Sequence, residues 1–512
     1  MNDDIRLGKL TINIGVRYEY EQPRTERYNR FANFDFQRNF PLNVGAFPNL
    51  RGVLSLAGRD NPRGQFEPAY ANLGPRFGLA YRLTTRTVVR AGFGLFYAPR
   101  ISSTNASNLG ATGAQIDTSW VSSLDGVTPL NPFSNPFPQG LLQPSSNRAE
   151  QLFLGQGLNI TDRDNRNNNY AEQWNLSVQR ELPGQIAFEG AYSGSRGIRN
   201  TMLMEWNQLN PSNQSLRADL NRQVSNPFFG LVRTGTLAQA TVAQSQLLRP
   251  YPQYTNISTN WQNMAASTYH SYQMKIEKRF SNSMNFLVAY TASKLIDNSS
   301  GRVFGFNSFT PEVQNFYDLR SERAVSEADV SQRLVISHTI DLPFGRGKPL
   351  LKNLPGPANK IAGGWSVSGV ATFFTGFPLK LSSTGNSGVS GSRILRPNST
   401  GKSARLGGDV QARLGRFFDT TAFTIPEPFT FGTTGRTLPD VRGAGRRNYD
   451  VTLSKVTPIT ERFNAVFRAE TYNLTNTPYF GLPGTSLGSA NFGVINGSSG
   501  QRVVQLSLRV QF

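Results

Sequence analysis

The closing stretch of the chain, Val504-Gln-Leu-Ser-Leu-Arg-Val-Gln-Phe512, alternates without exception. Val504, Leu506, Leu508, Val510 and Phe512 fall on one side of an extended backbone, with Gln505, Ser507, Arg509 and Gln511 on the other. A side-chain period of two is the mark of a two-faced β-strand. In a soluble sheet the apolar face packs on a core. In an outer-membrane barrel it meets lipid, and the polar face lines the lumen. One strand does not separate these readings, so the rest of the chain must.

The same alternation recurs along the sequence. It predicts twelve strands, at about 9–20, 76–82, 89–97, 173–179, 186–192, 272–280, 284–290, 333–342, 365–373, 448–454, 463–470 and 501–512. Between them, long polar stretches (21–72, 99–169, 198–266, 298–330, 378–445 and 475–500) take turns with short connections such as Thr84-Thr85-Arg86, Pro183-Gly184 and Ser281-Asn-Ser283. Only 343–363 is intermediate. Outer-membrane barrels have this asymmetry, with short periplasmic turns and long extracellular loops. A sandwich has no reason to sort its loops by length. A propeller would repeat a blade signature. The expected fold is therefore all-β, a transmembrane antiparallel β-barrel.

Charge and residue usage narrow the function. No run of 18 or more apolar residues exists, so no transmembrane helix is expected. Cys is absent. The formal charge is +20, but the basic residues are spread out, with Arg446-Arg447 the densest short cluster. Nucleic acid is therefore not an expected partner, whereas outer-membrane lipid and lipopolysaccharide are. Charges at alternate positions belong on the wet face, since an Arg on the lipid face at mid-bilayer costs ~2–4 kcal/mol. Candidate lumen-facing residues are Arg17, Glu19, Arg90, Lys275, Glu277, Arg468, Glu470 and Arg509. Catalytic, metal and cofactor sites are not expected. The only histidines, His270 and His338, sit on different predicted strands. Gly484-Thr-Ser-Leu-Gly488 fits a nucleophile-elbow pattern but precedes a strand, not a helix. Asp162 and Asp164 read as solvated loop, with calcium the weaker alternative.

Several phrases resemble the Oar-like branch of TonB-dependent outer-membrane receptors. They include Thr11-Ile-Asn-Ile-Gly-Val-Arg-Tyr-Glu-Tyr20, Gly74-Pro-Arg-Phe-Gly-Leu-Ala-Tyr81, Gln173-Trp-Asn-Leu-Ser-Val-Gln-Arg180, Asp341-Leu-Pro-Phe-Gly-Arg-Gly-Lys348 and Asn473-Leu-Thr-Asn-Thr-Pro478. The resemblance implies a barrel of about 22 strands around a plug, working as a monomer, of which residues 1–512 are a part. It implies that a signal peptide, a carboxypeptidase-regulatory-like domain, the plug and the first strands lie ahead of Met1. Asp3-Asp4-Ile5 is then the end of a preceding strand. The implied function is uptake or translocation of a solute, peptide or glycan, energised by the TonB complex through that upstream region. A surface-binding barrel and a passive porin are the alternatives. The stretch Val504, Leu506, Leu508, Val510 and Phe512 resembles the signal read by the outer-membrane assembly machinery. With the true first strand elsewhere, an open, curved sheet is expected, or a strained closure between 9–20 and 501–512.

Overall fold

The computed structural model describes residues 2–25, 27–29, 31–60, 62–98, 131–138, 140–141, 153–160, 168–231, 236–281, 283–299, 313–384, 389, 391–392 and 394–512. Asp162 and Asp164 lie outside the described residues. One antiparallel wall dominates. Its strands, in chain order, are β1 (Asn2–Leu7), β2 (Leu10–Tyr18), β3 (Leu73–Arg82), β4 (Thr87–Tyr97), β5 (Tyr170–Leu182), β6 (Ile186–Glu205) and β7 (Asn256–Ser281). The wall continues with β8 (Met284–Asp297), β9 (Gln332–Asp341), β10 (Trp365–Phe374), β11 (Arg446–Pro458), β12 (Asn464–Tyr472) and β13 (Val503–Gln511). Each strand pairs with its neighbour in sequence, so the wall is an uninterrupted meander from β1 to β13. Among the described residues no pairing joins β1 to β13, and the wall is an open sheet.

Alternation locates every strand from β2 to β13. Asp3-Asp4-Ile5, read from sequence as a strand end, lies in β1, which pairs with β2 from Asn2↔Gly15 to Leu7↔Leu10. A larger difference concerns β6 and β7. The sequence places a loop at 198–266, but β6 runs to Glu205 and β7 begins at Asn256. Past the predicted ends these strands lose the period of two. Their pairing carries register shifts between Thr259 and Gln262, and again between Asn263 and Ser267. Bulges interrupt alternation, and so hide a strand from a pattern search.

The connections sort by length onto opposite ends. β1–β2, β3–β4, β5–β6, β7–β8, β9–β10 and β11–β12 are joined at one end by the shorter connections, and β2–β3, β4–β5, β6–β7, β8–β9, β10–β11 and β12–β13 at the other by the long ones. Tight closure needs left-handed backbone, supplied at 183–185 by Gly184 (φ 79) and Gln185 (φ 60).

The register lines up one apolar face across the wall. Ile14 faces Phe77, which faces Phe93, then Trp174. Leu176 faces Tyr192, then Tyr272. Met274 faces Tyr290, Leu334 and Phe373 in turn, and Phe467 faces Leu508. These side chains are not packed against a core. Tyr272 is 67% exposed, Leu508 74% and Met274 50%. An exposed apolar band this continuous is a lipid-facing surface, since a soluble protein keeps such patches small. Lys278 and Lys455, which share its parity, stand at the short-turn end. Lys278 Nζ donates to Gly184 O at 3.2 Å, and Lys455 Nζ donates to Gly363 O at 2.6 Å while lying over the Trp365 ring. Their stems run along apolar surface and their charge ends at the polar rim.

Glycine makes room on this face for large rings. A Cβ on Gly194 would lie 2.3 Å from Trp174 Cε2. Gly194→Val is therefore expected to destabilise the wall by about 1–3 kcal/mol through overpacking. Urea unfolding of the folded protein in micelles checks this, and an unchanged midpoint would contradict the packing account.

The buried hydrophobic side chains gather in the long connections instead. One cluster joins the hairpin of Ala32–Asn39 and Arg51–Leu56 to Leu158, Phe228, Val242, Tyr254 and Ile257. Another joins Leu379, Phe418, Ala422, Val441 and Ile495. The long-loop end is thus a packed lobe with an interior of its own.

Candidate functional site

The opposite parity forms a polar face. Asn13 faces Gly78, then Gly92 and Asn175. Ser271 stands between Ser193 and Ser293, Thr339 opposite Ser368, and Thr452 opposite Glu470. A cavity of about 560 Å³ spans six neighbouring strands, β7 to β12, lined by Glu277, Thr339, Ser368, Asp450, Thr452 and Glu470. The residues that flank it on each strand have polar-face parity. A hollow reaching across six strands lies on the concave side of a sheet, so the wall curves toward its polar face.

The polar groups are held in place by neighbours. Thr339 Oγ1 and Ser368 Oγ are 3.1 Å apart, and Ser366 Oγ and Ser454 Oγ 2.9 Å. Asp450 accepts from Asn448 Nδ2 at 2.8 Å and from the Asn473 backbone N–H at 2.8 Å. Lys275 Nζ pairs with Glu277 at 2.7 Å, with both side chains open to solvent. Exposed pairs of this kind contribute ~0–1 kcal/mol, so this one orients charge more than it stabilises the wall.

The register places Arg17, Arg90, Lys275, Glu277, Arg468, Glu470 and Arg509 on this one face. The cavity brings together Glu277 and Glu470, from strands far apart in sequence. Arg90 stands on β4, donating to Gln179 Oε1 at 2.7 Å. Glu19 lies one residue past β2 and pairs with Arg17 at 2.9 Å. Arg468 faces Ser454 and Ser507, and Arg509 faces Val466 on the edge strand. On the other face, Val504, Leu506, Leu508 and Val510 oppose Thr471, Ala469, Phe467 and Ala465, and the Phe512 ring approaches Phe463. Sequence reasoning does not single out Asp450 or Arg279, although both line the cavity. Their parity within β11 and β7 is the signal that finds them.

Both histidines lie with the aromatic rings of the apolar face, each bonded to a tyrosine hydroxyl. His270 Nδ1 is 2.7 Å from Tyr192 Oη, and His338 Nε2 is 2.9 Å from Tyr449 Oη. Ser486 of the Gly484–Gly488 phrase pairs in a short parallel bridge with Ser382.

The lobe above the wall is pinned by buried charge. Arg396 and Glu322 form an ion pair with side chains 3% and 0% exposed. Arg436, also enclosed, pairs with Asp297 at the end of β8 and donates from Nε to Glu322 O at 3.0 Å. Arg442 pairs with Asp329 and donates to Gly376 O at 3.2 Å. Gln314 donates to Gly432 O and accepts from the N–H groups of Arg396 and Gly432. The described parts of the connections after β8 and β10 are thereby one body, joined to the connection after β6 by Gln208, whose Nε2 donates to Gln314 O at 2.8 Å. Burial pushes the Arg396 guanidinium below its ordinary range, an effect that Glu322 opposes.

The chain is similar in fold to solved outer-membrane proteins. The outer membrane transporter YddB from Escherichia coli is 9% identical, with 99% of this chain and 52% of that one covered and a TM-score of 0.43. BauA, the ferric preacinetobactin receptor from Acinetobacter baumannii, is 10% identical, with 98% and 40% covered and a TM-score of 0.39. The structure of the FpvAI–pyocin S2 complex matches at 10% identity, with 100% and 38% covered and a TM-score of 0.39. The chain thus spans about half or less of the length of these structures. No curated protein matches it. Residues 1–505 match the outer membrane beta barrel domain, and the chain belongs to that family, whose place is the bacterial outer membrane.

Proposed function

We propose that this chain forms the transport wall of a TonB-dependent receptor of the Oar-like branch, moving a solute, peptide or glycan across the outer membrane. The observation that carries the reading is the concave polar face, hollowed across β7 to β12, beneath a lobe stitched from the long connections. The polar face supplies water-like surroundings through the bilayer, and the lobe restricts what enters. Arg17, Glu19, Arg90, Lys275, Glu277, Arg468, Glu470 and Arg509 are the lumen residues on this reading. The resemblance of the strand phrases supports the branch and, with it, a larger barrel whose plug and TonB-contacting segment couple transport to energy. A passive porin would need no such coupling.

Uptake by cells carrying the complete gene is the test. On this reading, uptake stops when the inner-membrane proton gradient is collapsed, whereas a porin continues to conduct. The double variant Glu277→Gln/Glu470→Gln is expected to slow uptake about tenfold or more, because hydrogen bonds to charged groups contribute ~1.5–3 kcal/mol each. Its level in the membrane should be unchanged. Full uptake by the variant would remove these carboxylates from the path.

A further inference from the structure

The hairpin of Ala32–Asn39 and Arg51–Leu56 packs on residues 247–254, and between them lies a cavity of about 430 Å³. Its walls are Phe36, Phe47, Leu50 and Tyr251, with two guanidinium groups, Arg51 and Arg249. The size suits a small organic ligand. The frame is rigid. Gly52 (φ 92) lets Tyr251 and Phe34 close over the backbone, where a Cβ would meet Tyr251 Cδ1 at 2.5 Å. Gln253 Nε2 donates to the carbonyls of Arg51 and Gly52 at 2.7 and 3.2 Å. Asn207 holds Tyr251 at both its N–H and its carbonyl. Phe36 packs between Trp206 and Tyr251 at centroid distances of 5.1 and 5.9 Å.

Arg249 stands out in this frame. Its Nε is enclosed and has no hydrogen-bond partner, and among the described residues it makes no ion pair. Glu205 acts on it electrostatically, while Glu205 Oε1 accepts from the N–H groups of Asn207 and Ile257. Burial lowers the guanidinium's pKa from its usual value, and Glu205 offsets part of that. Arg51 is different, with its NH1 donating to Gln37 Oε1 at 2.9 Å. A partly buried cation whose Nε has no hydrogen-bond partner, and whose burial Glu205 offsets only in part, is an incomplete arrangement in an apolar and aromatic hollow. An oxyanion completes it, and the planar fork of arginine matches a carboxylate in two-point contact.

We infer that the lobe holds a binding site, separate from the concave wall, for a carboxylate carried on a compact apolar body. Arg249 takes the carboxylate, Arg51 assists from the rim, and Phe36, Phe47, Leu50 and Tyr251 enclose the apolar part. The site does not depend on the transport reading, since only equilibrium binding is at issue.

The probe is 3-(4-fluorophenyl)propanoate, followed by fluorine NMR with the folded protein in micelles. Saturable binding is expected, with Arg249→Leu weakening it about tenfold or more and Arg249→Lys severalfold, in line with loss of a charge-assisted two-point contact. Hydrogen exchange of residues 32–56 and 247–257 should be unchanged in the Lys variant, which separates a lost contact from a lost fold. The amide of the probe should not bind. Acetyl-Gly-Gly-Phe with a free carboxylate distinguishes the source: binding assigns the site to a peptide C-terminus, and its failure beside a bound probe assigns it to a free acid. No binding of either, equal binding by Arg249→Leu, or inorganic phosphate binding as tightly as the probe would each overturn the inference.

Discussion

Deleting residues 503–512 is expected to abolish the heat-modifiable, membrane-inserted form of the protein. β13 pairs with β12 at every position from Tyr472↔Val503 to Asn464↔Gln511. In the larger closed barrel of the proposed function, its loss leaves the outer edge of β12 facing hydrocarbon with its N–H and C=O groups unpaired, and each such group costs several kcal/mol. A handful of them equals the ~5–15 kcal/mol by which folded proteins are typically stable. Leu506, Leu508 and Val510, which extend the lipid-facing band, go as well. Phe512→Ala is a milder change. The ring is 98% exposed and approaches only Phe463 closely among aromatic neighbours, so the wall itself loses little. Any fall in the inserted fraction of that variant therefore reports on delivery to the assembly machinery. Unheated gel mobility and protease protection of isolated outer membranes measure both, and normal insertion of the deletion would refute the role given to this strand.

The wall was legible because its physics is local. A strand between lipid and water must change polarity at every residue, and that constraint writes itself into Leu10–Tyr18 or Val503–Gln511 without help from distant contacts. The lobe obeys no such rule. Ala32, Leu54, Leu158 and Ile257 meet in one cluster from segments far apart in sequence, and nothing periodic announces it. The outer halves of β6 and β7 were hidden for a related reason. Above the bilayer they pack against the lobe, with Met202, Met204 and Ile257 buried, so alternation gives way to local packing. Site residues divide in the same way. Parity places Glu277 and Glu470 on one face, but only curvature brings them to one cavity. Arg249 carries no sequence signal at all, since its distinction is an enclosed Nε without a hydrogen bond in a folded frame.

Replacing Arg396 by Leu is expected to loosen the lobe while leaving the wall inserted. Arg396 and Glu322 are both enclosed, and Glu322 is tied further through Oε1 to the Gln314 N–H. Removing one member of a buried pair strands the other charge, at a cost of about 3–5 kcal/mol. The double variant Arg396→Leu/Glu322→Leu should recover most of that loss, because no uncompensated charge remains. Hydrogen exchange of residues 313–331 and 394–442 reads the lobe, and heat-modifiable gel mobility reads the wall. The separation arises from where the pair stands: it fastens Glu322 of the connection after β8 to Arg396 of the connection after β10, and among the described residues neither lies in a strand of the wall. Loss of the inserted form in the single variant would mean instead that lobe and wall fold as one unit.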